Sequence, residues 1–265
     1  APPAAPPVAP TAAPTAAPTV APTAAPTVAP LAGKVALDFT TGILPADMVD
    51  ISTTACPIRQ SVFEMDPKMG TVYRVEEGTG FYIPGITEKL NSKVEAETEY
   101  TIRMVIKMDK NTGWNRILNV NPGADAGAYI LDGFNWYSSG RGSPASPTFP
   151  ANEWHSLTIS TGPDRNAAAY LDGGSKAEWL PHAGWDTSCR IVTSSLDVMM
   201  FFNDGASITS CMSGGEHTGL HVKTIQVFDS RLTDAQVAQL EVDSPVFPPP
   251  PATSLTGAVA LDFTT

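Results

Sequence analysis

Apolar and polar residues alternate most clearly through Glu99–Met108, where Tyr100, Ile102, Met104, Ile106 and Met108 fall on one face. A period of two marks a strand with one side against a core. The same reading predicts strands at Thr71–Val75, Trp114–Val120, Trp154–Ser160, Ala167–Leu171, Leu196–Phe202 and His221–Phe228. Asp-Gly pairs at 132–133, 172–173 and 204–205 predict tight turns, since both residue types tolerate a left-handed backbone. Only one segment reads as helix: Thr233-Asp-Ala-Gln236 is a capping box, followed by Val237 and Leu240 on one face. Many short strands with one late helix predict an all-β sandwich of antiparallel sheets over residues 31–243.

One strand pattern is written twice. Leu31–Thr41 reads LAGKVALDFTT and Leu255–Thr265 reads LTGAVALDFTT, with nine of eleven positions identical. In each copy the apolar residues alternate: Val35, Leu37 and Phe39, then Val259, Leu261 and Phe263. The second copy follows a Pro-rich spacer at 244–254, in which Pro248–Pro251 form a stiff run. It therefore reads as an assembly strand, either donated to another copy of the protein or opening a further repeat of a tandem array.

Residues 1–30 have a different composition. They contain no charge, no aromatic residue and no glycine, and proline recurs at every fourth position from Pro2 to Pro30. Such spacing excludes helix and sheet and favours a polyproline II tail. The segment resembles hydroxyproline-rich and mucin-like glycoproteins. That resemblance implies O-glycans on Thr11, Thr15, Thr19, Thr23 and Thr27, and hydroxyproline at Pro10, Pro14, Pro18, Pro22 and Pro26. Covalent glycans would then be carried on the tail. The opening APPAAPP reads as a mature or excised start rather than a signal peptide.

Charge and cysteines narrow the classes of partner. The net charge of −11 argues against nucleic acid or an anionic membrane surface as partner. No apolar run approaches the ~18 residues of a membrane span. Of Cys56, Cys189 and Cys211, the last two are the disulfide candidate, and the pairing of Cys56 stays open.

The segments EYTIRMVIKMDKNTGWNRILNV, GAYILDG, EWHSLTISTGPDRNAAAYLDG, VMMFFNDG and HVKTIQVFDSRLTDAQVAQL follow one another between residues 99 and 240. In this order they resemble laminin-G-like domains of the concanavalin A-like lectin and glucanase superfamily. The resemblance implies a jelly-roll sandwich with one short C-terminal helix. It leaves function open, because that superfamily holds lectins, glycanases, adhesion modules and spacers. It also implies a calcium candidate at Asn203, Asp204 and Glu216, which falls short of the six to eight oxygens calcium takes.

No reaction centre is evident, and the chain is not expected to be an enzyme. Glu64-Met-Asp66-Pro-Lys-Met69 lacks the third carboxylate of the glycanase strand and is broken by Pro67, so it reads as a solvated strand end. His217 and His221 lie in a Gly-rich segment and a strand, too far apart for a zinc pair. His155 and His182 read as isolated. Trp136, Tyr137, Trp179 and Trp185 lie in loops or near turns and are candidates for a sugar-binding rim, whereas Trp114 and Trp154 read as core. The leading expectation is a structural subunit of an extracellular, O-glycosylated fibre or matrix whose partners are copies of itself. The alternative is a carbohydrate-binding, lectin-like module on a glycosylated stalk.

Overall fold

The computed structural model describes residues 31, 33–52, 60–90, 99–119, 126–131, 133–138, 141–162, 167–179, 197–203, 218–243 and 246. In chain order the strands are β1 (Val35–Asp38), β2 (Val49–Asp50), β3 (Val62–Asp66), β4 (Gly70–Val75), β5 (Phe81–Pro84), β6 (Tyr100–Met108) and β7 (Asn115–Asn119). There follow β8 (Ala126–Leu131), β9 (Gly133–Ser138), β10 (Arg141–Thr148), β11 (His155–Thr161), β12 (Ala167–Leu171), β13 (Ser175–Trp179), β14 (Val198–Phe201) and β15 (Leu220–Phe228). Two helices are present among the described residues, the short α1 (Ile86–Lys89) and α2 (Asp234–Asp243).

The strands form two antiparallel sheets, as the periodicity predicts. One runs β13-β12-β11-β6-β15-β4-β3, with β1 added beside β15, and the other runs β10-β9-β8-β7-β14-β5-β2. The alternating residues of β6 point between the sheets: Tyr100, Ile102, Met104, Ile106 and Met108 all belong to the main core. They meet Ile117, Leu118, Ile130, Phe134, Met199 and Phe201 from the other sheet. Trp136 and Tyr137 lie in β9 and Trp179 ends β13, so all three are strand residues rather than loop residues. The Asp-Gly pairs at 132–133 and 172–173 mark the turns that lead into these two strands, but the strands themselves were not among those predicted.

Strand β1 occupies a slot on one side of β15. Val35 to Asp38 pair with Val227 to Thr224, while β4 pairs with Leu220 to Val222 of the same strand. A register shift in the β15–β6 pairing between Val222 and Thr224 separates the two partners. Backbone bonds from Lys34 N–H to the Val227 carbonyl (2.7 Å) and from Phe39 N–H to the Lys223 carbonyl (3.1 Å) extend the pairing at both ends. Val35, Leu37 and Phe39 are buried in the core, where Phe39 stacks on Tyr73 at 5.2 Å.

The opposite face of the β1-containing sheet is also covered. Alternation along β12 and β15 turns Ala168, Tyr170 and Phe228 outward, and they pack with Leu232, Val237 and Leu240 beneath α2. The predicted capping box closes the start of that helix: the Thr233 N–H donates to Gln236 Oε1 at 2.9 Å, and the Gln236 N–H donates to Thr233 Oγ1 at 3.3 Å. Polar side chains under the helix are paired to it or to its lead-in. Arg103 on β6 donates from Nε and Nη2 to the two carboxylate oxygens of Glu241, both at 2.8 Å. Ser156 Oγ donates to the same carboxylate, and Ser160 Oγ donates to the Leu232 carbonyl. Arg103 is 2% exposed, so removing its carboxylate partner would leave a buried cation poorly compensated. Glu241→Ala is expected to lower unfolding stability by about 3 kcal/mol. Urea denaturation checks this, with the midpoint falling and the slope unchanged.

Candidate functional site

The face carrying α2 opens beside the helix into a cleft of about 800 Å³. Its walls come from six separate places in the chain. The β3–β4 turn supplies Asp66, Pro67 and Lys68, and β6 supplies Lys107. The approach to β11 supplies Asn152, Glu153, Trp154 and His155. Asp172 comes from the β12–β13 turn, Glu241 from α2, and Val246 closes one side.

The apolar floor of the cleft is Trp154 with Val246 beside it, and behind it Trp154 packs in a small cluster with Met69, Val72 and Val105. Trp154 is 5% exposed and held in a fixed orientation. Its indole N–H donates to Asp66 Oδ2 at 3.0 Å, and the Lys107 ammonium lies 5.3 Å from its ring centroid.

Asp66 gathers four donors. Besides Trp154, Lys107 Nζ reaches Oδ2 at 2.6 Å, and the backbone N–H groups of Lys68 and Met69 reach Oδ1 at 2.9 and 3.1 Å. Burial alone would raise this carboxyl. Lys107, Trp154 and the two N–H groups outweigh burial and hold it well below the usual carboxylate range. The expected solvated strand end is therefore corrected: Asp66 is 8% exposed and structural. Pro67 ends β3, but the turn behind it folds the carboxylate inward.

His155 is likewise not isolated. Its Nδ1 lies 2.8 Å from Asp172 Oδ2, while the Ser156 N–H donates to Asp172 Oδ1 at 2.9 Å. Burial would raise Asp172, and His155 together with the Ser156 N–H holds it low instead. Asp172 and Gly173 have φ of 50° and 68°, the left-handed pair expected of the Asp-Gly turn. A Cβ on Gly173 would stand 2.6 Å from Glu241 Cγ, so glycine there lets the turn close against α2. Further along the face, His221 Nε2 lies 3.1 Å from Glu64 Oε2. Burial, with Lys107 and Arg74 nearby, keeps His221 less basic than an ordinary histidine despite Glu64.

Three of the four carboxylates around the cleft, Asp66, Asp172 and Glu241, are thus committed to fixed donors. Glu153 is the open one, with its side chain 71% exposed and Oε2 3.9 Å from His155 Nε2. This arrangement presents rigid donors and acceptors beside an apolar floor. Among the described residues, no three His, Cys, Asp or Glu side chains group closely enough to hold a metal ion.

Few of the residues singled out in the sequence fall among the described ones. Asn203 of the calcium candidate is buried, and Asp204 and Glu216 lie outside the described residues. So do Cys56, Cys189, Cys211, Trp185, His182 and His217, the tail threonines and prolines, and Val259, Leu261 and Phe263. Trp114 packs edge-on against Tyr129 at 5.4 Å, with the Arg116 guanidinium 3.9 Å from the same ring centroid. Tyr129 and Arg116 are 1% and 2% exposed, while Trp114 itself is only half-buried and so is not the core residue expected from the sequence. The cleft itself left no spacing signal, because turns far apart in the chain build it. Trp154-His155 opening a strand was its one local mark.

No family model and no curated protein matches the chain. Solved structures of β-sandwich domains do match. The binding domain of botulinum neurotoxin DC, solved with SialylT, aligns at TM-score 0.52 and 11% identity over 80% of this chain and 51% of its own. The binding domain of botulinum neurotoxin serotype D/C VPI 5993 aligns at TM-score 0.55 and 10% identity, over 80% and 52%. Domain 4 of AbnA, a GH43 extracellular arabinanase from Geobacillus stearothermophilus solved with arabinotriose, aligns at TM-score 0.52 and 12% identity, over 79% and 98%. The chain spans about half the length of the neurotoxin chains. At these identities the likeness establishes the jelly-roll sandwich fold.

The Asp66 network has a pH signature. A carboxyl lowered on folding stabilises fully above its unfolded value, near 3.8, and that contribution is lost as pH falls through the folded value. Asp66→Asn should therefore lose about 2–4 kcal/mol at neutral pH. Its deficit relative to wild type should shrink steadily below about pH 4. Chemical denaturation at a series of pH values checks both.

Proposed function

We propose that this protein is a carbohydrate-binding module that takes a glycan in the cleft above Trp154 without chemically altering it. One observation carries the reading: a roomy cleft in which rigid, charge-assisted donors and acceptors surround an apolar floor. Sugars present hydroxyl groups around apolar ring faces, and preset polar partners bind them without a further ordering cost. The fold supports the reading. Domain 4 of AbnA was solved with arabinotriose, and one neurotoxin binding domain was solved with SialylT. Commitment of Asp66, Asp172 and Glu241 to ion pairs and hydrogen bonds favours binding over turnover. An extracellular setting follows from the Pro/Thr-rich tail, on which Thr11 to Thr27 would carry O-glycans. Among the described residues no helix is long and apolar enough to cross a membrane.

A second role, as a unit of an extracellular fibre whose partners are copies of itself, draws on a different observation. The duplicated strand Leu255–Thr265 repeats a segment whose first copy is anchored in the core by Val35, Leu37 and Phe39.

A glycan array of neutral, sialylated and amino-sugar oligosaccharides tests the binding role. Saturable binding is expected, with about a tenfold loss for Glu153→Ala, the value of one charge-assisted hydrogen bond. Trp136→Ala and Trp185→Ala should bind normally. Loss confined to those two variants would move the site to the rim expected from the sequence, and absence of any saturable glycan would contradict the proposal.

A further inference from the structure

We propose that Leu255–Thr265 is a second β1, and that the β15 strand it pairs with belongs to a second copy of this sandwich. The inference supplies a joint for the fibre role and rests on that role for the identity of the partner.

The buried side chains, the tight glycine and the closing Asp-x-Thr turn that the slot beside β15 reads in the first copy are retained in the second. Val35, Leu37 and Phe39, 2%, 1% and 0% exposed, become Val259, Leu261 and Phe263. Gly33 becomes Gly257, and the position favours glycine: a Cβ at Gly33 would stand a tight 3.1 Å from the Val35 carbonyl oxygen and 3.2 Å from that of Val227. The strand is closed by the N–H and hydroxyl of Thr40 donating to Asp38 Oδ1 at 2.9 and 2.7 Å. These two residues recur as Asp262 and Thr264. The difference that falls on a described residue lies at the rim. Lys34 makes an exposed ion pair with Asp229 at 3.3 Å, and Ala258 replaces it. An exposed pair of this kind contributes little to holding a strand. Selection for a second strand with the same inward face would leave this pattern.

The slot in the chain's own sandwich is filled by β1. Exchange within one chain would bury the same three side chains against the same strand, with nothing gained. Exchange between copies is equally balanced in contacts, so occupancy follows local concentration, which linked or crowded units raise. The geometry is strand addition at a sheet edge, with backbone bonds supplying affinity and alternate side chains supplying register. Because donor and acceptor surfaces differ, successive copies join head to tail and need not close.

The test uses two full-length chains. One carries photoreactive benzoylphenylalanine in place of Ala260, the counterpart of exposed Ala36, which pairs with Gln226. The other is heavy-isotope-labelled and carries Leu37→Ala and Leu261→Ala, which weaken both of its own β1 copies. After irradiation, mass spectrometry should find residue 260 of the light chain joined to residues 223–228 of the heavy chain. Labelled wild-type chain, which is certain to hold its fold, should give the same product at several-fold lower yield. Crosslinks confined to one chain, or falling away from β15 with both partners, would overturn the proposal. Filaments that persist after deletion of 255–265 would keep the fibre role but refute this joint. Crosslinked dimers that never extend would keep the joint and end the fibre role.

Discussion

Arg103 is a cation buried in the middle of a sheet face, and its need for a carboxylate organises what covers that face. It stands on β6, the strand whose other face forms the centre of the main core. Glu241 meets it with both oxygens, which fixes α2 across the sheet; Ser156 completes the carboxylate, and Gly173 makes room for it. Once the helix is set there, the ground beside it is bounded by the Asp66 turn, the Trp154 approach and the Asp172 turn. The cleft is thus a consequence of how a buried charge is satisfied. A buried ion pair is a poor source of net stability compared with apolar packing, but it is costly to break and so fixes one arrangement.

The legible parts of the sequence were those where burial is one-sided. Strands β6 and β15 alternate because one face meets the main core and the other meets water or the helix, whereas β12 is apolar on both faces because the helix cluster covers its outer one. The capping box of α2 was legible because both of its hydrogen bonds are local. Strand β10 was not, since Pro144 and Pro147 argue against a strand; it is tolerated because β10 is an edge, where a missing N–H costs no ladder bond. Asp66 misled for a related reason. Pro67 correctly ends the strand, yet nothing local announces that Lys107 and Trp154, 41 and 88 positions away, will draw the carboxylate inward.

Two features of the sandwich point in different functional directions without conflict. The outer face of the β1-containing sheet holds the polar cleft, and the β15 edge of that sheet holds the β1 slot. The slot reads backbone and three apolar side chains; the cleft, in the proposed role, reads hydroxyl groups. A unit could therefore be joined to its neighbours through one and hold a glycan in the other, with the Pro/Thr-rich segment between units.

The claim on which the account turns is that the glycan sits above Trp154. An amide NMR titration with the tightest-binding array oligosaccharide measures this directly. The account predicts saturable shifts centred on Glu153, Trp154, His155 and Asp172, including the Trp154 indole N–H. Shifts centred instead on Trp136 and Tyr137 in β9, with the Trp154 indole unmoved, would contradict it.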